Sequence, residues 1–142
     1  MEVEERKTLV RRWIEEVWNT GDLGPVDAIF APSYSVNGEV VGPEGVKEAV
    51  RWLQMTFSNA TLSIDDMVAE KDRVVVSWVM RGQQQGPFMD VPATGQEVTL
   101  AGINIYHVDE GKILANTERV DVLGLLMQLG ATIRPSAAHE PG

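Results

Sequence analysis

Ile103-Asn104-Ile105-Tyr106-His107-Val108-Asp109-Glu110-Gly111-Lys112-Ile113-Leu114-Ala115-Asn116-Thr117-Glu118-Arg119-Val120-Asp121 reads as two strands joined by a tight turn, and this hairpin decides the fold. Its first arm is rich in β-branched residues, its second alternates, and Asp109-Glu110-Gly111 carries turn chemistry between them. A three-residue loop with Gly111 left-handed in a bulge would pair Val108 with Lys112. Alternation then puts Ile103, Ile105 and His107 on one face with Ile113, Ala115, Thr117, Arg119 and Asp121. Asn104, Tyr106, Lys112, Asn116 and Glu118 fall on the other. The first set mixes apolar walls with a few polar groups, as a ligand pocket does, and the second reads as a solvent or dimer face. A two-residue loop would invert this assignment.

Upstream, Thr61 to Ala69 alternates weakly, Val74 to Met80 is a continuous apolar run, and Val98 begins the first arm of the hairpin. The second half is therefore expected to be a curved antiparallel sheet. The first half has a different period. Val10, Trp13, Ile14, Val17 and Trp18 recur at helical spacing, ending near Asn19-Thr20-Gly21-Asp22, and Pro25 to Phe30 is a short second helical segment. Ser33 to Val41 reads as a strand or short hairpin around Asn37-Gly38. Gly42-Pro43-Glu44-Gly45 opens a helix with the stripe Val46, Ala49, Val50, Leu53 and Phe57. Helices first and strands after indicate an α+β domain with the helices on one face of the sheet. Residues 1–133 are read as a single domain and 134–142 as a disordered tail.

The chain has 142 residues, 44% of them apolar, no bilayer-length apolar run and no cysteine. Disulfides and thiolate chemistry are thereby excluded, and a reducing compartment fits. The start, Met1-Glu2-Val3-Glu4-Glu5-Arg6-Lys7, lacks the order of a secretory signal, so a cytoplasmic location is expected. A net charge of -9 argues against nucleic acid or an anionic membrane as partner and disfavours a phosphorylated substrate. Metal binding has little support, with two histidines far apart in sequence, and no Gly-x-Ser-x-Gly elbow is present.

Asp121 ends the alternation, and Val122 to Gly130 then turns apolar. A carboxylate facing a cavity closed by that tail has its proton affinity raised, which suits proton exchange with a bound carbon acid. The plainer alternative is a surface aspartate capping the following helical turn.

Five segments in order, Trp18-Asn19-Thr20-Gly21-Asp22, Gly42-Pro43-Glu44-Gly45-Val46, Val91-Pro92-Ala93-Thr94-Gly95, Gly111-Lys112-Ile113 and Asp121 through Gln128-Leu129-Gly130, resemble the SnoaL-like polyketide cyclases. That family belongs to the nuclear transport factor 2-like superfamily. The likeness covers all but about the last dozen residues. It implies a cone-shaped α+β fold, the N-terminal helices packed on the concave face of the sheet, a homodimer and no cofactor. It also implies acid/base catalysis by the aspartate matching Asp121 in an aldol closure of an aromatic polyketide, the chemistry of antibiotic biosynthesis. Because the fold serves several reactions, it does not fix this one. Two departures stand out. Gly82-Gln83-Gln84-Gln85-Gly86 replaces a Gly-Thr-His-x-Gly strand end, and Ala115-Asn116-Thr117 replaces a Glu-His-Trp run, which is expected to open volume.

The expected function is therefore a cofactor-independent cyclase or isomerase acting on a hydrophobic polyketide-type substrate, with Asp121 as catalytic residue. Candidate substrate-binding residues are Tyr34, Asn37, Gln83, Gln85, Ile105, His107, Thr117 and Arg119, with Gln84 replacing its neighbours if the register slips. The assumed register sets Asp121 opposite Thr99, far along the strand from His107, so no direct dyad of the two is expected. Arg119 beside Asp121 leaves open an epoxide-opening enzyme as an alternative, and a non-catalytic small-molecule binding protein is a second. The face carrying Tyr106 is expected to be buried in a two-fold dimer.

Overall fold

The apolar stripes predicted for the first half wrap over one face of the sheet predicted for the second. The computed structural model describes residues 1–132 and 134–136, so most of the tail expected to be disordered lies outside the described residues. Helix α1 (Val3–Arg12) runs into a π-helical segment, Trp13–Trp18, followed by α2 (Val26–Ile29), β1 (Phe30–Val36), β2 (Glu39–Val40) and α3 (Gly42–Thr56). Then come β3 (Phe57–Glu70), β4 (Arg73–Gln84), β5 (Glu97–Asp109), β6 (Lys112–Val120) and α4 (Val122–Gln128). Among the described residues the strands form one six-stranded sheet in the order β2-β1-β6-β5-β4-β3. All neighbours are antiparallel except β1 and β6, which are parallel. The chain between β1 and β6 includes α3 and the three long strands, long enough for a parallel return that no hairpin allows.

The helices sit where their sequence places them. Pro43 starts α3, and Val46, Val50 and Leu53 are buried at helical spacing. Asn37 and Gly38 both take positive φ in the tight turn that joins β1 to β2. The first helix is the exception. At Ile14 the hydrogen bond widens to Asn19, five residues on, at 2.9 Å. This wide turn brings Trp13 and Trp18 together on one side of the helix, rings edge to face at 5.7 Å.

The core joins Val10, Ile14 and Val17 of the first helix and Val50 and Leu53 of α3 to Val74, Val76, Trp78 and Met80 of β4. Tyr106 and Val108 of β5 and Ile113 of β6 also belong to it. The even-numbered residues of β4 and β5 therefore point inward. Arrangement on the concave side agrees with expectation, but the choice of face on the last hairpin does not, with direct consequences for the site.

Candidate functional site

The β5–β6 turn has two residues. Asp109 pairs with Lys112, and Glu110 and Gly111 both adopt positive φ. A bulge follows, with Val108 opposite Ile113 but His107 opposite Ala115, so Leu114 is the extra residue. The shorter turn and the bulge each move the pairing by one residue, so the register shifts by two and the same residues still share a face. Ile103, Ile105 and His107 share a face with Arg119, Thr117 and Ala115 as expected, but as the shifted pairs Ile103 with Arg119, Ile105 with Thr117 and His107 with Ala115. Ile113, grouped with them in sequence, lies before the bulge and is buried in the core instead.

That face is nevertheless the outer one. Ile103 and Ile105 are 50% and 40% exposed, whereas Tyr106 and Asn116 are 3% and 6% exposed. The isoleucines expected as pocket walls face outward, and the asparagines expected on a solvent or dimer face point toward the helices. Gly102 pairs with Trp78, and a Cβ at Gly102 would lie 2.4 Å from the indole, a closeness that only the folded register reveals. A glycine opposite a tryptophan marks the crowded inner face.

The cavity between helices and sheet has a volume of about 100 Å³. Trp13, Trp18, Tyr34, Val46, Leu62 and Trp78 supply its walls, and Asn104, Tyr106, Asn116 and Glu118 its polar groups. Stacked edges hold the aromatic side: Trp13 meets Phe30 at 4.9 Å and Phe30 meets Tyr34 at 4.7 Å between ring centres. The polar side is a connected network. Trp78 Nε1 donates to Asn104 Oδ1 at 2.7 Å, Asn104 Nδ2 donates to the Tyr106 hydroxyl at 3.1 Å, and Trp13 Nε1 donates to the same oxygen at 3.1 Å.

Glu118 is the one carboxylate among the lining residues, and none of them is cationic. Burial raises its proton affinity above the ordinary carboxylate range, and a hydrogen bond from Asn104 opposes that rise. Burial also pushes the phenols of Tyr34 and Tyr106 upward, so both stay neutral donors. The Asn116 side chain lies beside the Tyr34 hydroxyl. Glu118, expected on a solvent or dimer face, lines the cavity instead.

Asp121 is exposed, and its Oδ1 accepts from Gly124 N at 2.9 Å as the N-cap of α4. Its backbone N donates to Ala101 O at 2.8 Å, so it lies opposite Ala101 rather than Thr99. It borders a shallow depression with Asp65, Ser77, Ile103 and Arg119, not the aromatic cavity. Arg119 donates to Asn37 Oδ1 at 3.2 Å and to Glu118 O at 2.8 Å.

Of the other expected residues, Tyr34 lines the cavity. Asn37 is a turn residue outside the lining, its Oδ1 accepting from Glu118 N at 2.8 Å. Ile105 and Thr117 are on the outer face, so a threonine at 117 adds no cavity volume. His107 pairs with Asp72 at 2.8 Å on that face. Gln83 and Gln85 are exposed and bond backbone oxygens of Gly95 and Gln54. Gln84 points inward as the slipped register would have it, but it clamps the loop after β4: Thr94 N and Oγ1 donate to it, and it donates to Gly86 O and Pro92 O. Among the described residues no three His, Asp or Glu side chains gather as a metal site, and no helix is long and apolar enough to cross a membrane.

The family model for SnoaL-like polyketide cyclases matches residues 8–129. Aklanonic acid methyl ester cyclase DauD of Streptomyces sp. (strain C5) is 30% identical over 130 residues, which span 86% of this chain and 80% of that protein. DnrD of Streptomyces peucetius, of the same description, is also 30% identical, over 86% and 88%. Among solved structures, TsrD from Streptomyces laurentii superposes with a TM-score of 0.85 at 29% identity, covering 93% of this chain and 99% of that one.

Proposed function

The chain belongs to the SnoaL-like polyketide cyclases, and from that premise we propose that it closes a ring in a hydrophobic polyketide-type carbonyl compound with Glu118 as the acid/base group. The observation that carries this reading is a single carboxylate of raised proton affinity in an aromatic cavity. Such a group takes a proton from a carbon beside a carbonyl more readily than an exposed carboxylate does. The enolate carbon then attacks a second carbonyl carbon of the same molecule, and the new alkoxide recovers the proton from Glu118. Nothing is added or lost, so the product is an isomer of the substrate. The neutral Tyr34 hydroxyl is the donor available to the enolate oxygen.

The test is turnover of aklanonic acid methyl ester, the compound named for the relatives, with product isomers separated by chromatography. Glu118→Gln is expected to lower turnover by about 10²–10⁴-fold, and Asp121→Asn to leave it within a few-fold. Loss confined to Asp121→Asn would overturn the assignment and return the chemistry to Asp121 and Arg119. Tight binding without turnover in any variant would favour a binding protein.

The reading extends to assembly. Ile103, Ile105 and Val68 form an exposed apolar strip on the outer face, and a second copy of the chain covering it makes a homodimer that leaves each cavity under its own helices. Tyr106, first expected in that contact, is buried against Trp13 of its own chain.

A further inference from the structure

Two side-chain atoms in the cavity have no hydrogen-bond partner among the described residues: Nε1 of Trp18 and Oδ1 of Asn116. Both are sealed from solvent and both residues line the same cavity. The other two indoles of the lining are engaged, Trp13 with Tyr106 and Trp78 with Asn104. Buried polar groups are almost always paired, so an unpaired donor and an unpaired acceptor on residues that line one cavity call for partners that the chain itself does not supply.

Both residues are anchored through the chain around them. Asn19 bonds the backbone of Leu62 with both ends of its amide, Oδ1 accepting at 2.7 Å and Nδ2 donating at 3.0 Å, which pins the end of the π turn to β3. Trp18 is held next to that staple and against Trp13. Asn116 is in register with Tyr106 on one side and Val36 on the other, and its carbonyl accepts from Asn37 N at 2.9 Å.

We propose that Trp18 and Asn116 are the polar anchors of the substrate: the indole N–H donates to a carbonyl oxygen, and the amide oxygen accepts from a hydroxyl. Glu118, without a cation in the lining, repels a second carboxylate. The occupant is therefore a neutral hydroxylated aromatic ketone or ester, and neither a hydrocarbon nor a free acid. That this occupant is also the molecule that reacts rests on the proposed cyclase function; the binding preference does not.

Titration calorimetry with three probes separates the terms: an acetylnaphthol, the matching ethylnaphthalene and the matching hydroxynaphthoate. Wild type should bind the acetylnaphthol about tenfold or more tightly than either of the others, because a site built around unpaired polar atoms rejects a ligand that cannot pair them. Trp18→Phe keeps the ring and removes the donor, so it should lose most of this preference while binding ethylnaphthalene as wild type does. Asn116→Leu should behave alike, and retained ethylnaphthalene binding certifies the fold of each variant. Equal wild-type affinity for acetylnaphthol and ethylnaphthalene overturns the proposal, as does an undiminished preference in Trp18→Phe. Glu118→Gln should keep the preference over ethylnaphthalene. Failure of the cyclase reading, seen as undiminished turnover in Glu118→Gln, is thus distinct from failure of the anchors.

Discussion

Placing one methyl group at Gly102 should dismantle the polar side of the cavity from behind. A Cβ there would stand 2.4 Å from Trp78 Cζ2, 2.7 Å from Cε2 and 3.0 Å from Cη2. Comfortable carbon contacts are about 3.5–4.0 Å, so the indole must retreat by roughly 1 Å. It cannot do so freely, because its Nε1 is bonded to Asn104 Oδ1 at 2.7 Å, and a shift of that size breaks the bond. Overpacking of this kind costs about 1–3 kcal/mol and the lost hydrogen bond about 1 kcal/mol more, a total near 2–4 kcal/mol. For a chain of this size, Gly102→Ala should lower Tm by roughly 5–15 °C. Thermal unfolding followed by circular dichroism measures this, and the near-ultraviolet tryptophan bands should change below the transition. Trp78→Phe removes the offending ring atoms, so the double variant should be less destabilised than the sum of the singles. A Gly102→Ala protein with wild-type Tm and unaltered tryptophan bands would refute the packing argument.

Glu118 makes stability depend on pH. Its proton affinity is higher in the folded chain, so its contribution is fully present at acid pH and is lost as pH rises through the folded-state pKa. Urea unfolding should show Glu118→Gln, the isostere of the protonated acid, gaining stability relative to wild type between pH 4 and pH 7. Gln84 is fully buried and ties several backbone groups of the loop after β4. Gln84→Leu strands those groups and should cost about 1–3 kcal/mol in urea unfolding, with faster proteolysis between residues 86 and 95. On the outer face, Ile105→Glu should convert a species of twice the 15.6 kDa chain mass into monomer in sedimentation, with the cavity network unaffected. A wild-type monomer at micromolar concentration would count against the homodimer.

Local chemistry carried much of this protein in its sequence. The period-2 runs of β5 and β6, the stripe Val46, Val50, Leu53 and the turn at Asn37-Gly38 depend on neighbours within a few residues, whereas the β5–β6 turn, rightly placed, was expected one residue longer than it is. Hydrophobic spacing therefore revealed the strands, the helices and their order. It also grouped Asn104, Tyr106, Asn116 and Glu118 on one face, since alternation is a property of the strand itself. Which face meets the helices is not such a property. On β4, Val75 and Val79 are as apolar as Val74 and Val76, so the run has no preferred side until a helix lands on it. The bulge at Leu114 and the π turn at Trp13–Trp18 are likewise set by partners distant in sequence. Tertiary packing thus put Ile105, Thr117 and Asp121 outside and drew Glu118 into an aromatic cavity. There desolvation, a property of the whole environment and not of the residue, raises its hold on a proton.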